Sequence, residues 1–442
     1  MNKLVAFVFV LVSLMTSCII SIQPITAQSF ETITIKADGS VEPSTAPITQ
    51  TGNIYTLTRN ILGNITIEKS DIVFDGAGYT IQYGFDVRRG LTLNQVNNVT
   101  IINVVVKETG DPQQSGSGIY LKTTTNSIIA NNTATKNVYG IFVVGSSGNI
   151  IAGNNVTSNY SGGIFLNCGN NTIIGNCIAA NGGHHIMGTA VWAVGGIYFT
   201  CSSKHTTLNN TVVGNQITEN AIGIHFMSTN YFGSRFTDNL IYNNNFIDNA
   251  QSVINEAIVS TILVNIWDNG SRGNYWSDYT GNDTNLDGIG DIPYVIDANN
   301  QDNYPLMAPI DISSIELPEL PGAPSVFLVS PENKTYDTAS VPLNFTVSKR
   351  TSWIGYSLDD QANVTIVGNA TLTGLSNGLH TLTVYANDTF GYTGASETIY
   401  FRVSQPEPFP TWILAAIVII ALVGVAFLLY FTKFKKTTGK VE

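Results

Sequence analysis

The sequence predicts an all-β protein: a right-handed parallel β-helix followed by an Ig-like β-sandwich and one transmembrane α-helix. Three observations carry that prediction. A Gly-Ile-aromatic step recurs as Gly118-Ile119-Tyr120, Gly140-Ile141-Phe142, Gly163-Ile164-Phe165, Gly196-Ile197-Tyr198 and Gly223-Ile224-His225. Asn pairs five residues apart follow in register with it, at Asn132/Asn137, Asn154/Asn159, Asn176/Asn181, Asn215/Asn220 and Asn244/Asn249. Near the C-terminus, Trp412 to Phe431 gives 20 residues without a charge.

The step recurs at intervals of 22, 23, 33 and 27 residues, with short β-rich pieces such as Ser127-Ile128-Ile129 and Asn149-Ile150-Ile151 between the markers. Short strands with Gly and Asn at the corners mark a solenoid, and the Leu framework of a leucine-rich repeat is missing. Each coil of a parallel β-helix stacks ~4.8 Å above the last. Asn suits the corners because its amide hydrogen-bonds tight-turn backbone and its own copy one coil away. Alternation along the strand turns Ile119/Leu121, Ile141/Val143, Ile164/Leu166, Ile197/Phe199 and Ile224/Phe226 inward. Cys168 and Cys201 continue that phase as a buried pair, reduced or disulfide-bonded, and Cys177 has no evident partner.

Composition agrees. Apolar residues make up 43% of the 442 and charged residues 12%, about half the usual ~25%. Asn (46 residues) and Gly (40) supply the polarity instead, which excludes coiled coils and disordered chains. A net charge of −11 excludes a nucleic-acid partner, which needs a basic face.

The ends set the topology. Lys3, an apolar run from Leu4 to Ile22 and the small residue Ala27 read as a signal peptide rather than a signal anchor. The apolar stretch 412–431 spans ~30 Å of hydrocarbon. Lys433, Lys435, Lys436 and Lys440 follow it, placing the tail in the cytoplasm and the rest outside. The organisation expected is a signal peptide over 1–27, an N-terminal cap over 28–62 and a β-helix over 63–310, with a terminal cap over 265–310. A Pro-rich linker (311–324), an Ig-like sandwich (325–404) with Trp353 in its core, a stalk (405–411), the membrane helix (412–431) and a tail (432–442) follow. The ectodomain holds 15 bases against 30 acids and 14 N-x-S/T sequons, which fits a surface glycoprotein.

Chemistry-bearing residues are sparse in the coils. Between Asp111 and Asp238 the single acid is Glu219, and the bases are Lys122, Lys136, Lys204 and Arg235. A glycosidase needs paired carboxylates, so no catalytic residue is assigned. The residue between the inward aliphatics must point outward, placing Tyr120, Phe142, Phe165, Tyr198 and His225 in one row. Such a row either binds sugar faces, with Trp192 beside it, or packs as an aromatic ladder. Asn137 precedes the next step Gly by three positions and Asn159 by four, but Asn181 by fifteen. That insertion contains His184, His185 and Met187, a donor combination suited to copper, with His205, His225 and Met227 further along. Asp283, Asn285, Asp287 and Asp291 are spaced as positions 1, 3, 5 and 9 of a calcium loop, with Gly288 at position 6 but Tyr294 at position 12. An acid-rich turn is the alternative.

Val73-Phe74-Asp75-Gly76-Ala77-Gly78-Tyr79-Thr80-Ile81 resembles the opening coil of NosD-like surface β-helix proteins. Gly273-Asn274-Tyr275-Trp276-Ser277-Asp278-Tyr279 and Asp302-Asn303-Tyr304-Pro305-Leu306 resemble the segment that ends the NosD-type helix. The resemblance covers roughly 60–310 and implies a role in periplasmic copper supply to nitrous-oxide reductase. Anchored relatives of this kind are typical of prokaryotic, often archaeal, cell surfaces. The resulting expectation is a single-pass membrane protein whose outer part binds carbohydrate or scaffolds the envelope. A polysaccharide lyase or hydrolase, and copper handling, are the alternatives.

Overall fold

Successive strands of the repeat pair in parallel with their counterparts one coil on. Ser117–Lys122, Tyr139–Val144, Gly162–Asn167, Gly195–Cys201 and Ile224–Ser228 form one face, with Ile119, Ile141, Ile164, Ile197 and Ile224 in register. Two three-residue strands complete each of the central coils, such as Ile150–Ala152 and Asn155–Thr157. Both pair in parallel with the coils on either side. This is a parallel β-helix. A computed structural model describes residues 30–82, 88–109, 116–182, 195–201, 207–228, 235–256, 262–406 and 410–437. They fall into two units, Met1–Pro321 and Gly322–Glu442.

Inside the helix the expected aliphatics are fully buried. At the corners the chain leaves the strands, and three Asn ladders take over the backbone hydrogen bonding. In one, the Asn132, Asn154, Asn176, Asn215 and Asn244 backbone N–H groups each donate to Oδ1 of the next member, ending on Asn274, at 2.9–3.1 Å. A second runs through Asn137, Asn159, Asn181, Asn220 and Asn249. The third was not foreseen: it starts at Ser127 and runs through Asn149, Asn171, Asn210 and Asn239. Each Asn Nδ2 also donates to a carbonyl of the preceding coil, as Asn154 does to Ile129 at 2.8 Å. A buried main-chain group left unpaired costs ~1–3 kcal/mol, so the amides answer a demand that recurs in every coil.

The residue before a ladder Asn takes the left-handed conformation, as at Asn131, Lys136, Gly153, Ser158 and Gly175, which makes the sharp turn. The step Gly has a different cause. A Cβ on Gly163 would lie 2.6 Å from the Gly196 carbonyl and 3.0 Å from Asn181 Nδ2. The ladder leaves no room for a side chain there.

The ends are closed. The stack already begins at Glu31–Ile35, which pairs in parallel with Ile61–Ile67; part of the expected 28–62 cap therefore belongs to the coils. The antiparallel pairings of Val41–Glu42 and Ile48–Thr51 cover its edge. Asp75 caps the Gly-rich turn after it, accepting from the Ala77 N–H at 2.8 Å and from Asn103 Nδ2 of the next coil. At the far end the buried Asp302 replaces the next Asn. It accepts from Asn274 N–H at 2.7 Å, Trp276 Nε1 at 2.9 Å and Tyr304 N–H at 3.0 Å. A Cβ on Gly273 would overlap the Asp302 carboxylate. Trp276 stacks between Phe246 and Tyr294. The Gly-Asn-Tyr-Trp and Asp-Asn-Tyr-Pro-Leu motifs are thus one plug.

Half of the expected 311–324 linker is not free. Ile310 exchanges two 2.9 Å hydrogen bonds with Asn245, and Ile315 and Leu317 lie against Gly214, Gly175 and Gly153. In the second unit, strands Val326–Ser330, Val341–Val347 and Ala370–Leu372 form one sheet, and Gly378–Asp388 centres a larger one. Val341, Leu343, Leu382, Val384 and Phe401 make its core. Trp353, expected in that core, is only half-buried; it lies over Gly355 and donates to Thr365 Oγ1 at 2.9 Å. Thr411–Thr437 is helical, and its first 23 residues are long and apolar enough to cross a membrane.

Two outcomes test this account. Asn176→Ala orphans partners on both sides of its ladder and should lower unfolding stability by on the order of 3 kcal/mol; a change typical of a surface site would refute the ladder's role. Burial pushes the Asp302 carboxyl up to about 6, against the N–H groups that favour its charge. Since that lies above the ordinary value of 3.8, its contribution to stability is fully present below 3.8 and is lost as pH rises through about 6. Between pH 4 and 6 the parent should therefore lose melting temperature relative to Asp302→Asn, and parallel profiles would reject the assignment.

Candidate functional site

Strand alternation brings the five residues of the outward row together as expected. Tyr120, Phe142, Phe165, Tyr198 and His225 are direct partners across the parallel ladder. Their exposure is uneven: Tyr120, Phe142 and Phe165 are half-buried, whereas Tyr198 and His225 are 6% and 3% exposed. The last two are no open platform. Phe142 and Phe165 stack with centroids 3.9 Å apart and planes 10° apart, so each ring covers its neighbour's face and mainly edges point outward. Tyr139, at the corner before Gly140, meets both rings edge-on at 5.3 and 5.4 Å.

At the Tyr120 end the face opens. Arg89 Cζ sits 3.9 Å from the Tyr120 ring centroid, a cation–π contact that fixes the guanidinium. Arg88, Arg89, Gly116, Ser117, Tyr120, Tyr139 and Phe142 line a cleft of ≈160 Å³. A broader basin of ≈550 Å³ adjoins it through Arg88 and Arg89 and continues over Thr92, Asn94 and Lys122 to Asn64 and Thr66. Sequence reasoning missed Arg88, Arg89 and Tyr139. The available signal was position: Tyr139 precedes the step residue Gly140, and Arg89 precedes Gly90, which holds the same place two coils earlier.

His225 and Met227 share the outer face at the opposite end, two residues apart on one strand. Both imidazole nitrogens lack a hydrogen-bond partner among the described residues, although Nε2 lies 3.3 Å from the Glu256 carboxylate; the pair is close but not aligned. Burial lowers the His225 pKa below its ordinary value, partly offset by Glu256. Met227 Sδ accepts from the Tyr198 hydroxyl at 3.0 Å. An imidazole and a thioether on one face form a donor set that suits copper. His184, His185, Met187, Trp192 and His205 lie outside the described residues.

The Asp283–Asp291 loop closes on its own hydrogen bonds. Asp283 accepts from the Asp287 and Gly288 N–H groups, and Asp291 accepts from Thr284. Among the described residues no three His, Cys, Asp or Glu side chains come together as a metal-holding group. Calcium there rests on the spacing alone. Cys168 is a buried free thiol whose pKa burial pushes to about 11; the Cys201 side chain lies outside the described residues, and Cys177 is also free.

Residues 48–281 match the family model described as periplasmic copper-binding protein (NosD). The chain is 40% identical over 90 residues to the probable ABC transporter binding protein NosD of Stutzerimonas stutzeri, and equally to that of Pseudomonas aeruginosa. These stretches cover 20% of this chain but 18% and 19% of the relatives. Halomucin of Haloquadratum walsbyi is 36% identical over 97 residues, 20% of this chain and 1% of that one. Two solved structures are similar at a TM-score of 0.31 each: the periplasmic alginate epimerase AlgG (18% identity; 47% of this chain and 51% of that one) and a bacteriophage CBA120 tailspike domain (14%; 79% and 66%). With over half of its length matched by the family model, the chain belongs to the NosD family.

Proposed function

We propose that the protein is a membrane-anchored envelope component whose β-helix binds a glycan at the Tyr120 end of its outer face. The cleft between Arg88, Arg89, Tyr120, Tyr139 and Phe142 carries this reading. It combines ring surface with fixed donors, the mixture that sugar recognition uses, and it has room for one pyranose ring. Because the rings further along cover each other, the binding residues are Tyr120 and its neighbours and not the whole row. No described carboxylate lines the cleft, so binding is favoured over paired-carboxylate hydrolysis. The apolar helix after Pro410 anchors the chain, and Lys433 at its end fits a cytoplasmic tail.

The discriminating experiment is a glycan-array screen of the full chain in detergent. Tyr120→Ser should weaken binding about ten-fold with little change in melting, as expected for a lost aromatic contact of ~1.5 kcal/mol. Phe165→Ser, inside the stack, should lower the melting temperature and spare binding. Equal losses of binding in both variants would remove the cleft from the proposal.

The buried imidazole of His225 beside Met227 favours copper handling as a second reading. Bound there, Cu(I) would be held by His225 Nδ1 or Nε2 and Met227 Sδ. Competition with a Cu(I) chelator should show retention that His225→Ala and Met227→Leu each abolish. Unchanged retention in both variants would dismiss the site.

A further inference from the structure

We infer that the glycan is anionic, a polysaccharide bearing carboxylate or sulfate groups, and that Arg88, Arg89 and Lys122 are the residues that select it. This inference rests on the glycan reading above and adds the ligand's charge class. The chain carries a net charge of −11, yet the cleft and the basin together gather three cations and no described Asp or Glu. All three side chains are exposed. None makes an ion pair among the described residues, although Lys36, Arg59 and Lys334 elsewhere all do.

An arginine with no described carboxylate beside it, its Cζ 3.9 Å from a ring centroid, keeps N–H groups available. A planar guanidinium donates to a carboxylate or sulfate through two parallel bonds. Arg89 pairs in register with Ser117, and Lys122 lies five residues further along that strand. At ~3.3 Å per residue the backbone positions of Arg89 and Lys122 are therefore about 17 Å apart along the strand direction. That is longer than one sugar and suits a charged polymer lying along the strand direction. Between them Thr66, Thr92 and Asn94 line the floor and offer hydrogen bonds to hydroxyl groups.

The test uses the full chain in detergent with four probes: polygalacturonate, its methyl ester, dextran sulfate and dextran. Polygalacturonate or dextran sulfate should bind at least about ten-fold more tightly than its uncharged counterpart, the discrimination expected of charge-assisted hydrogen bonds. The preference should shrink as salt is raised. Arg88→Gln, Arg89→Gln and Lys122→Gln combined should remove the preference, weakening the acidic polymer at least about ten-fold more than its uncharged counterpart. Which acidic probe binds identifies carboxylate or sulfate as the charge. If charged and uncharged polymers bind equally, the anionic class is overturned while the glycan reading stands. If an acidic probe binds and the triple variant retains its full preference, these three residues are not the selectors. If no polymer binds, both readings fall.

Discussion

Every coil of this protein must bury three corners where the chain stops being a strand, and at each the main chain has lost its ladder partners. The Asn amide supplies both a donor and an acceptor at the right distance, so one residue type solves the same problem at all three. Other features follow from that solution. The left-handed residue before each Asn sets the turn, the bare Gly opposite makes space for the amide, and the aliphatic next to Gly is aimed at the core. The low charge content has the same origin, since the corners are made polar by amides instead of ions.

That economy explains what the sequence revealed and what it hid. The repeat was legible because the spacing of inward Ile and corner Asn is imposed by the coil. Ladder members actually come in threes, as at Asn149, Asn154 and Asn159, but reading them as pairs left one corner unseen. The end motifs were recognisable without their reason being so: Gly273 and Asp302 lie 29 positions apart and meet only in the fold. Trp353 was misplaced because size suggests burial, whereas a neighbouring Gly and a Thr hydroxyl give an indole a partly solvated seat.

The candidate site was half legible. Alternation put the aromatic row on the outside, but not the orientation of its rings. Parallel strands ~4.8 Å apart bring like side chains close enough to stack on one another, and rings that stack this way leave their faces unavailable to a ligand. The ring surface that lines a cleft lies where the stack ends, at Tyr120, with Arg89 against it. The cations beside Tyr120 come from a coil that reads Gly90-Leu91-Thr92 where the others carry Gly-Ile-aromatic, so the aromatic repeat did not point to them.

The ladders also have a direction. Each Asn satisfies carbonyls of the coil made before it and offers its own N–H to the coil made after it. A chain emerging N-terminus first would carry at its growing edge three corners whose donors are still waiting, together with a row of open strand edges. Only the arrival of Asn274 and then Asp302 closes the ladder that starts at Asn132. Until then the molecule is its own template, and a second unfinished copy could supply the same acceptors. The plug thus does more than stabilise the finished helix: it ends a surface that would otherwise keep recruiting chain.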